Sequence, residues 1–189
     1  MKILEQVEAY CKKTIRNSLQ SLNGKETLRH SMKCGKNGSL EEIFQQFFTS
    51  KVEIDEKLYI QGGAGFLSKN RKLCKFRLKF DGDCTPKKIT TANCATPDAL
   101  IARQSDNAIL CDIELKVLRV GNDYDLFNGV TQMREYMQLY QIRAGLLIVF
   151  TYFDNPTDEA VDFLKKLVGK TSIHVMWVAI VDDVKISVL

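Results

Sequence analysis

Three acids and one lysine stand in this chain at spacings that suit phosphoester chemistry. Asp98 follows Pro97 at the head of a short apolar run, Ala99 to Ala102. Asp112, Glu114 and Lys116 alternate with Ile113, Leu115 and Val117 in a second run, Ala108 to Val117. In a strand, side chains alternate between faces, so the two acids and the lysine share one side and the aliphatic residues the other. Unpaired charge inside a sheet is costly, and three such groups on one face call for a reason. If the two runs pair, Asp98 falls at the end of its strand beside Glu114, and two carboxylates and a backbone carbonyl converge. That is a set of hard oxygen donors of the kind Mg²⁺ or Mn²⁺ takes, with water completing an octahedron. Lys116 beside it could hold or deprotonate a water nucleophile and offset charge on the phosphoryl oxygens. A divalent ion would polarise the phosphoryl group and lower the pKa of its water. Each residue has a plainer alternative. Asp98 could end a loop, Glu114 and Lys116 could form a salt bridge on an exposed edge strand, and Asp112 could be a supporting charge, a second-metal ligand or a solvent-facing acid.

At these residues the chain resembles the PD-(D/E)XK nucleases, the restriction-endonuclease-like superfamily. Pro97-Asp98 looks like the first half-motif and Glu114-Leu115-Lys116 like the second. Gln132-Met133-Arg134-Glu135-Tyr136 has the spacing of the Gln-x-x-x-Tyr helix of RecB-like members. On a helix, Gln132 and Tyr136 lie one above the other. The resemblance covers roughly residues 38–150 and implies a Mg²⁺- or Mn²⁺-dependent nuclease with DNA favoured over RNA. It makes Asp98 and Glu114 metal ligands and Lys116 the residue that positions the nucleophile. Gln132 and Tyr136 would orient substrate or the lysine. Members often add an acid from an early helix. Glu41, bordering an apolar stripe, is preferred over Glu42, which would serve as a cap. The cysteines of iron–sulfur members have no match here, no helicase motif is present, and residues 81–95 align to nothing. A related resemblance is to the cap-snatching RNA endonucleases of segmented negative-strand viruses, whose upstream histidine could only be His30. A third reading is a catalytically inactive nucleic-acid-binding subunit with the same fold. A homodimer or a larger defence or repair complex would be compatible with any of them.

The elements that must position these groups can be read from periodicity. Residues 2–22 repeat apolar positions at helical spacing. A second helix follows Gly38, with Ser39 and Glu42 as a capping box and Leu40, Ile43, Phe44, Phe47 and Phe48 as its apolar stripe. From Val52 to Phe80 the pattern is strand-like, broken by Gly62-Gly63-Ala64-Gly65, which reads as a flexible turn. No Lys-Ser/Thr follows it, so it is not a phosphate-binding P-loop. Residues 81–91 are polar and read as a loop. Ala99–Ala102 and Ala108–Val117 form a hairpin about Ser105-Asp106-Asn107. Helices are expected over 125–141 and 157–168, and strands over 145–152, 172–181 and 184–188. The sum is an α/β chain with a single mixed sheet flanked by helices. It forms one domain, with an N-terminal helical segment at 1–37 and a catalytic core at 38–189.

A basic run without acids, Lys69, Arg71, Lys72, Lys75, Arg77 and Lys79, would suit a nucleic-acid backbone. Lys72, Lys75, Arg77 and Lys79 are its candidate contacts, a solvated edge strand being the rival. His174 and Trp177, inside an apolar run, read as core. The 189 residues carry a net charge of +4 and 45% hydrophobic residues, a globular balance that excludes a largely disordered chain. No apolar run reaches the length of a membrane span, and the first residues lack a signal-like segment. Six cysteines without a C-x-x-C pair argue against a zinc site or a disulfide framework. A cytoplasmic protein with reduced thiols is the expectation.

Overall fold

The structure is a computed structural model, and it describes residues 2–19, 51–73, 96–118, 124–151, 157–180 and 184–189. His30, Glu41, Glu42, Lys75, Arg77 and Lys79, and with them the expected second helix, lie outside the described residues.

The chain order is α1 (Lys2–Leu19), β1 (Val52–Glu53), β2 (Leu58–Gly62), α2 (Gly63–Lys69), a 3₁₀ turn (Arg71–Leu73), β3 (Ala99–Arg103), β4 (Ile109–Val117), α3 (Tyr124–Tyr140), β5 (Gly145–Thr151), α4 (Asp158–Val168), β6 (Ile173–Ile180) and β7 (Val184–Val188). Among the described residues the strands form one sheet of 7 in chain order. Neighbours from β1 to β4 are antiparallel, β4, β5 and β6 are parallel, and β7 returns antiparallel to β6. A parallel pair needs a crossover, and α3 and α4 supply the two.

Helices cover both faces. On one, α1 buries Leu4, Val7, Cys11 and Ile15 against Ile113, Ile148, Phe150 and Val178. On the other, α3 and α4 enclose Leu147, Val149, Val175 and Trp177. Strand β5 is buried at all 7 residues, as expected of a continuous apolar strand covered on both sides. The hairpin β3–β4 turns where Asn107 adopts φ 57°, a left-handed conformation that Asn tolerates. Helix α4 starts at Thr157, whose hydroxyl accepts from the Ala160 N–H, and stops at Gly169, φ 56°.

Two local expectations are corrected. Gly62-Gly63-Ala64-Gly65 is no flexible turn: Gly62 ends β2 and the next three residues open α2, so the strand-like reading fails over 63–69. The cause is tertiary, because α2 buries Phe66 and Leu67 with Tyr59, Leu100 and Ala102. His174 is not enclosed in the core. Its side chain is 38% exposed, and Nδ1 lies 2.5 Å from Glu8 Oε1, joining β6 to α1. Among the described residues no helix is long and apolar enough to cross a membrane.

Candidate active site

Strand β4 is interior, between β3 and β5, so Glu114 and Lys116 do not lie on an exposed edge. Ile113 and Leu115 pack on the α1 face. Asp112, Glu114 and Lys116 therefore point to the α3 face. There Lys116 Nζ stands 2.6 Å from Glu114 Oε1, with the side chains 16% and 4% exposed. The pair is almost fully withdrawn from water.

Asp98 reaches the same place from β3. The register Ala99↔Ile113 continues to put Asp98 opposite Glu114. Its Oδ2 accepts the Leu115 N–H at 2.8 Å, so the carboxylate takes over the ladder where β3 ends. Behind it, the Gly63 N–H donates to the Asp98 carbonyl at 3.1 Å. A Cβ on Gly63 would stand 2.0 Å from the Pro97 carbonyl oxygen, so only glycine lets α2 start against this segment. A cavity of about 140 Å³ opens between Gly62–Gly65 and Thr96–Asp98. The adjacency inferred from sequence for Asp98, Glu114 and Lys116 is thus what the structure holds.

Helix α3 closes the face and runs opposite to β4. A Cβ on Gly129 would meet Lys116 Cγ at 2.9 Å, and one on Gly145 would meet Met133 Cε at 2.5 Å and Asp112 Oδ1 at 2.8 Å. The stem of Lys116 therefore lies under Gly129, and Asp112 lies beneath Met133. Asp112 is 0% exposed, and its carboxyl oxygens find no partner beyond its own backbone N–H. Burial first, and then the nearby Glu114 charge, push its pKa well above the carboxylate range. A solvent-facing role for Asp112 is excluded. It is an enclosed acid held toward its neutral form.

Tyr136 is buried and Gln132 half-buried on one flank of α3. Along that stripe, one turn on, Tyr140 packs with the Leu100 and Phe66 cluster, on the side of β2 and β3. The opposite flank, with Val130 and Met137, turns to α4. Gln132 and Tyr136 thus lie on the flank of α3 nearer Asp98. Of the basic run, Lys69, Arg71 and Lys72 are described and exposed, beyond the far end of α2.

Gly129 and Gly145 were not picked out by sequence reasoning, and Gly63 was read only as part of a flexible turn. Gly129 carries a signal that could have found it, since a glycine in mid-helix costs about 1 kcal/mol and needs a packing reason. Among the described residues no group of three or more His, Cys, Asp or Glu side chains is gathered as a metal site. The donors at hand are the carboxylates of Asp98 and Glu114, an oxygen set that suits Mg²⁺ or Mn²⁺ and not zinc. Cys11 on α1 and Cys111 on β4 are free thiols in the core between that helix and the sheet, and burial raises both, Cys11 to about 12, so they are packing residues. Comparison with family models and with curated proteins finds no match for this chain.

Proposed function

We infer that the chain is a divalent-metal-dependent nuclease of the PD-(D/E)XK kind, hydrolysing phosphodiester bonds in DNA in preference to RNA. One observation carries this reading: an interior strand presents a buried Glu114 paired to a half-buried Lys116, beside the Asp98 carboxylate at the end of the adjoining strand. A sheet gains nothing in stability from such a group, because a buried ion pair is commonly no better than well-packed apolar side chains. The mixed sheet between helices on both faces is in keeping with a restriction-endonuclease-like core.

In this reading Asp98 and Glu114 would hold Mg²⁺ or Mn²⁺, with Glu41 as the candidate third acid. The ion would supply charge to the phosphoryl oxygens and acidify bound water. Lys116 exchanges its hold on Glu114 for the attacking water and the developing oxyanion, within a face that α3 keeps dry. Gln132 and Tyr136, on the near flank of α3, orient the strand being cut. A cytoplasmic setting agrees with free thiols at Cys11 and Cys111.

The test is cleavage of supercoiled plasmid and of labelled DNA and RNA oligonucleotides, single- and double-stranded, by the purified chain. Mn²⁺ or Mg²⁺ should support cutting and EDTA should stop it, while Asp98→Asn, Glu114→Gln and Lys116→Met should each remove it. Full activity in Lys116→Met would refute the mechanism, and faster cutting of RNA than DNA would move the reading to the cap-snatching type. A second reading has its own observation. Glu114 Oε1 is already paired by Lys116, and Asp98 Oδ2 by the Leu115 N–H. A nucleic-acid-binding subunit without turnover would bind DNA, show no Mn²⁺ heat in calorimetry and cut nothing.

A further inference from the structure

The far end of α2 carries a feature that the cleavage reading leaves unused. Lys69, Arg71 and Lys72 are all exposed around a cavity of about 500 Å³, with Ser68, Asp106 and Asn107 completing its wall. None of the three cations makes an ion pair among the described residues. The acid present is already matched: Asp106 Oδ2 binds Arg103 at 2.8 Å, and Asp106 Oδ1 accepts the Ala108 N–H. Asn107 is fixed in the turn at φ 57°, and its Oδ1 accepts the Tyr59 hydroxyl at 2.7 Å. That bond leaves the Nδ2 end of the amide as a donor.

The geometry points to a phosphate-binding pocket for the sugar–phosphate backbone of nucleic acid, separate from the cleavage site and joined to it by α2. The charge is positive and unmatched, and the donors are guanidinium, ammonium and amide, which recognise phosphate without reading bases. Placement completes the case. Helix α2 starts with its Gly63 N–H on the Asp98 carbonyl and ends at Lys69. Its 7 residues span about 10 Å at 1.5 Å each. The pocket thus grips a strand a short, fixed distance from the bond to be cut. This assignment rests on the nuclease reading, and the experiment separates the two.

Fluorescence anisotropy of the full chain with a labelled duplex, in EDTA and across a salt series, gives affinity and its salt slope. The variant Lys69→Gln/Arg71→Gln/Lys72→Gln should bind at least about tenfold more weakly at low salt. Its log–log slope should be shallower by about 2.7, each lost phosphate contact contributing about 0.9. In cleavage with Mn²⁺ it should raise KM while leaving kcat near the wild-type value. Asn107→Asp keeps the acceptor for Tyr59 and tolerates the left-handed turn, yet puts an acid on the pocket wall, so it too should weaken binding. Lys165→Gln/Lys166→Gln on α4 is the control and should change nothing. If the wild type binds and cuts but the triple variant keeps its affinity and slope, the pocket is overturned and the nuclease reading stands. If folded wild type neither binds nor cuts any nucleic acid, the nuclease reading falls and takes the pocket with it. Should inorganic phosphate alone stabilise the wild type while DNA affinity is unmoved in the variant, the pocket serves a small anion and the assignment is refuted.

Discussion

Replacing Lys116 by methionine tests whether the Glu114–Lys116 pair is as withdrawn from water as the structure has it. Methionine keeps an unbranched stem beneath Gly129 and removes only the ammonium group. Glu114, 4% exposed at its side chain, then loses the cation 2.6 Å away. Breaking one side of a buried pair costs about 3–5 kcal/mol when the remaining charge has no escape. Here it has one, since the carboxyl can take up a proton. Against an unfolded glutamate titrating near 4.3, holding that proton at pH 7 costs about 3.7 kcal/mol, which sets the ceiling. At pH 5 the same step costs about 1 kcal/mol. With its cation removed and its burial kept, the Glu114 carboxyl should be pushed up in the folded variant, so stability should be restored as the pH falls toward the unfolded value. Urea unfolding followed by circular dichroism should show a deficit of about 3 kcal/mol at pH 7. With a slope near 2 kcal/mol per molar, that is about 1.5 M in midpoint. The deficit should shrink to about 1 kcal/mol at pH 5, and adding Glu114→Gln should restore most of the loss at pH 7. Cleavage should fall by about 10²–10⁴-fold at every pH where the variant is folded, so lost stability is not what stops the reaction. A deficit under about 0.5 kcal/mol at pH 7, or one that ignores pH, would show that the pair is solvated and refute the argument.

Asp112→Asn removes a carboxyl whose pKa burial raises. The wild-type acid adds stability that is fully present below its unfolded value of about 3.9 and is lost as pH rises through the raised folded value. The variant should therefore gain on the wild type above pH 4, by up to about 1.4 kcal/mol per unit until Asp112 ionises, as read from melts at pH 4 to 8. Equal pH dependence in both proteins would count against an enclosed, unpartnered acid. Gly63→Ala sets a methyl 2.0 Å from the Pro97 carbonyl, a backbone atom with no rotamer to yield. It should cost about 3 kcal/mol in thermal unfolding and lower cleavage by displacing Asp98, and wild-type stability would contradict the close approach of α2.

Much of the architecture was legible because local pattern and tertiary demand agree. The runs 145–151 and 173–180 are apolar without alternation, as strands covered on both faces must be, and the helix between them carries a stripe on one side. Thr157 with its acidic first turn and Gly169 mark α4 at both ends. Where the two demands part, the sequence misleads. Gly63-Ala64-Gly65 has poor helix propensity, yet Phe66 and Leu67 must reach Tyr59 and Leu100, and one short helix is how they do so. His174 breaks an apolar run, and a partner 166 residues away in sequence, Glu8, decides its surroundings.

The candidate site divides along the same line. Alternation told which residues share a face of β4, and hairpin pairing told that Asp98 adjoins Glu114, because both follow from a period of two. What lies over a face has no period. Nothing local to Asp112 says that Met133 covers it, and nothing near Asp98 says that the Leu115 N–H will bind its carboxylate. That cover is also what gives the site its weight. On the surface, an acid, an acid and a lysine would be a weak decoration. In the interior of a seven-stranded sheet, the desolvation of Asp112, Glu114 and Lys116 opposes folding, and apolar residues of like size would hold the sheet at least as well. Charged groups kept where apolar side chains would hold the sheet as well are the support for the proposed nuclease reading.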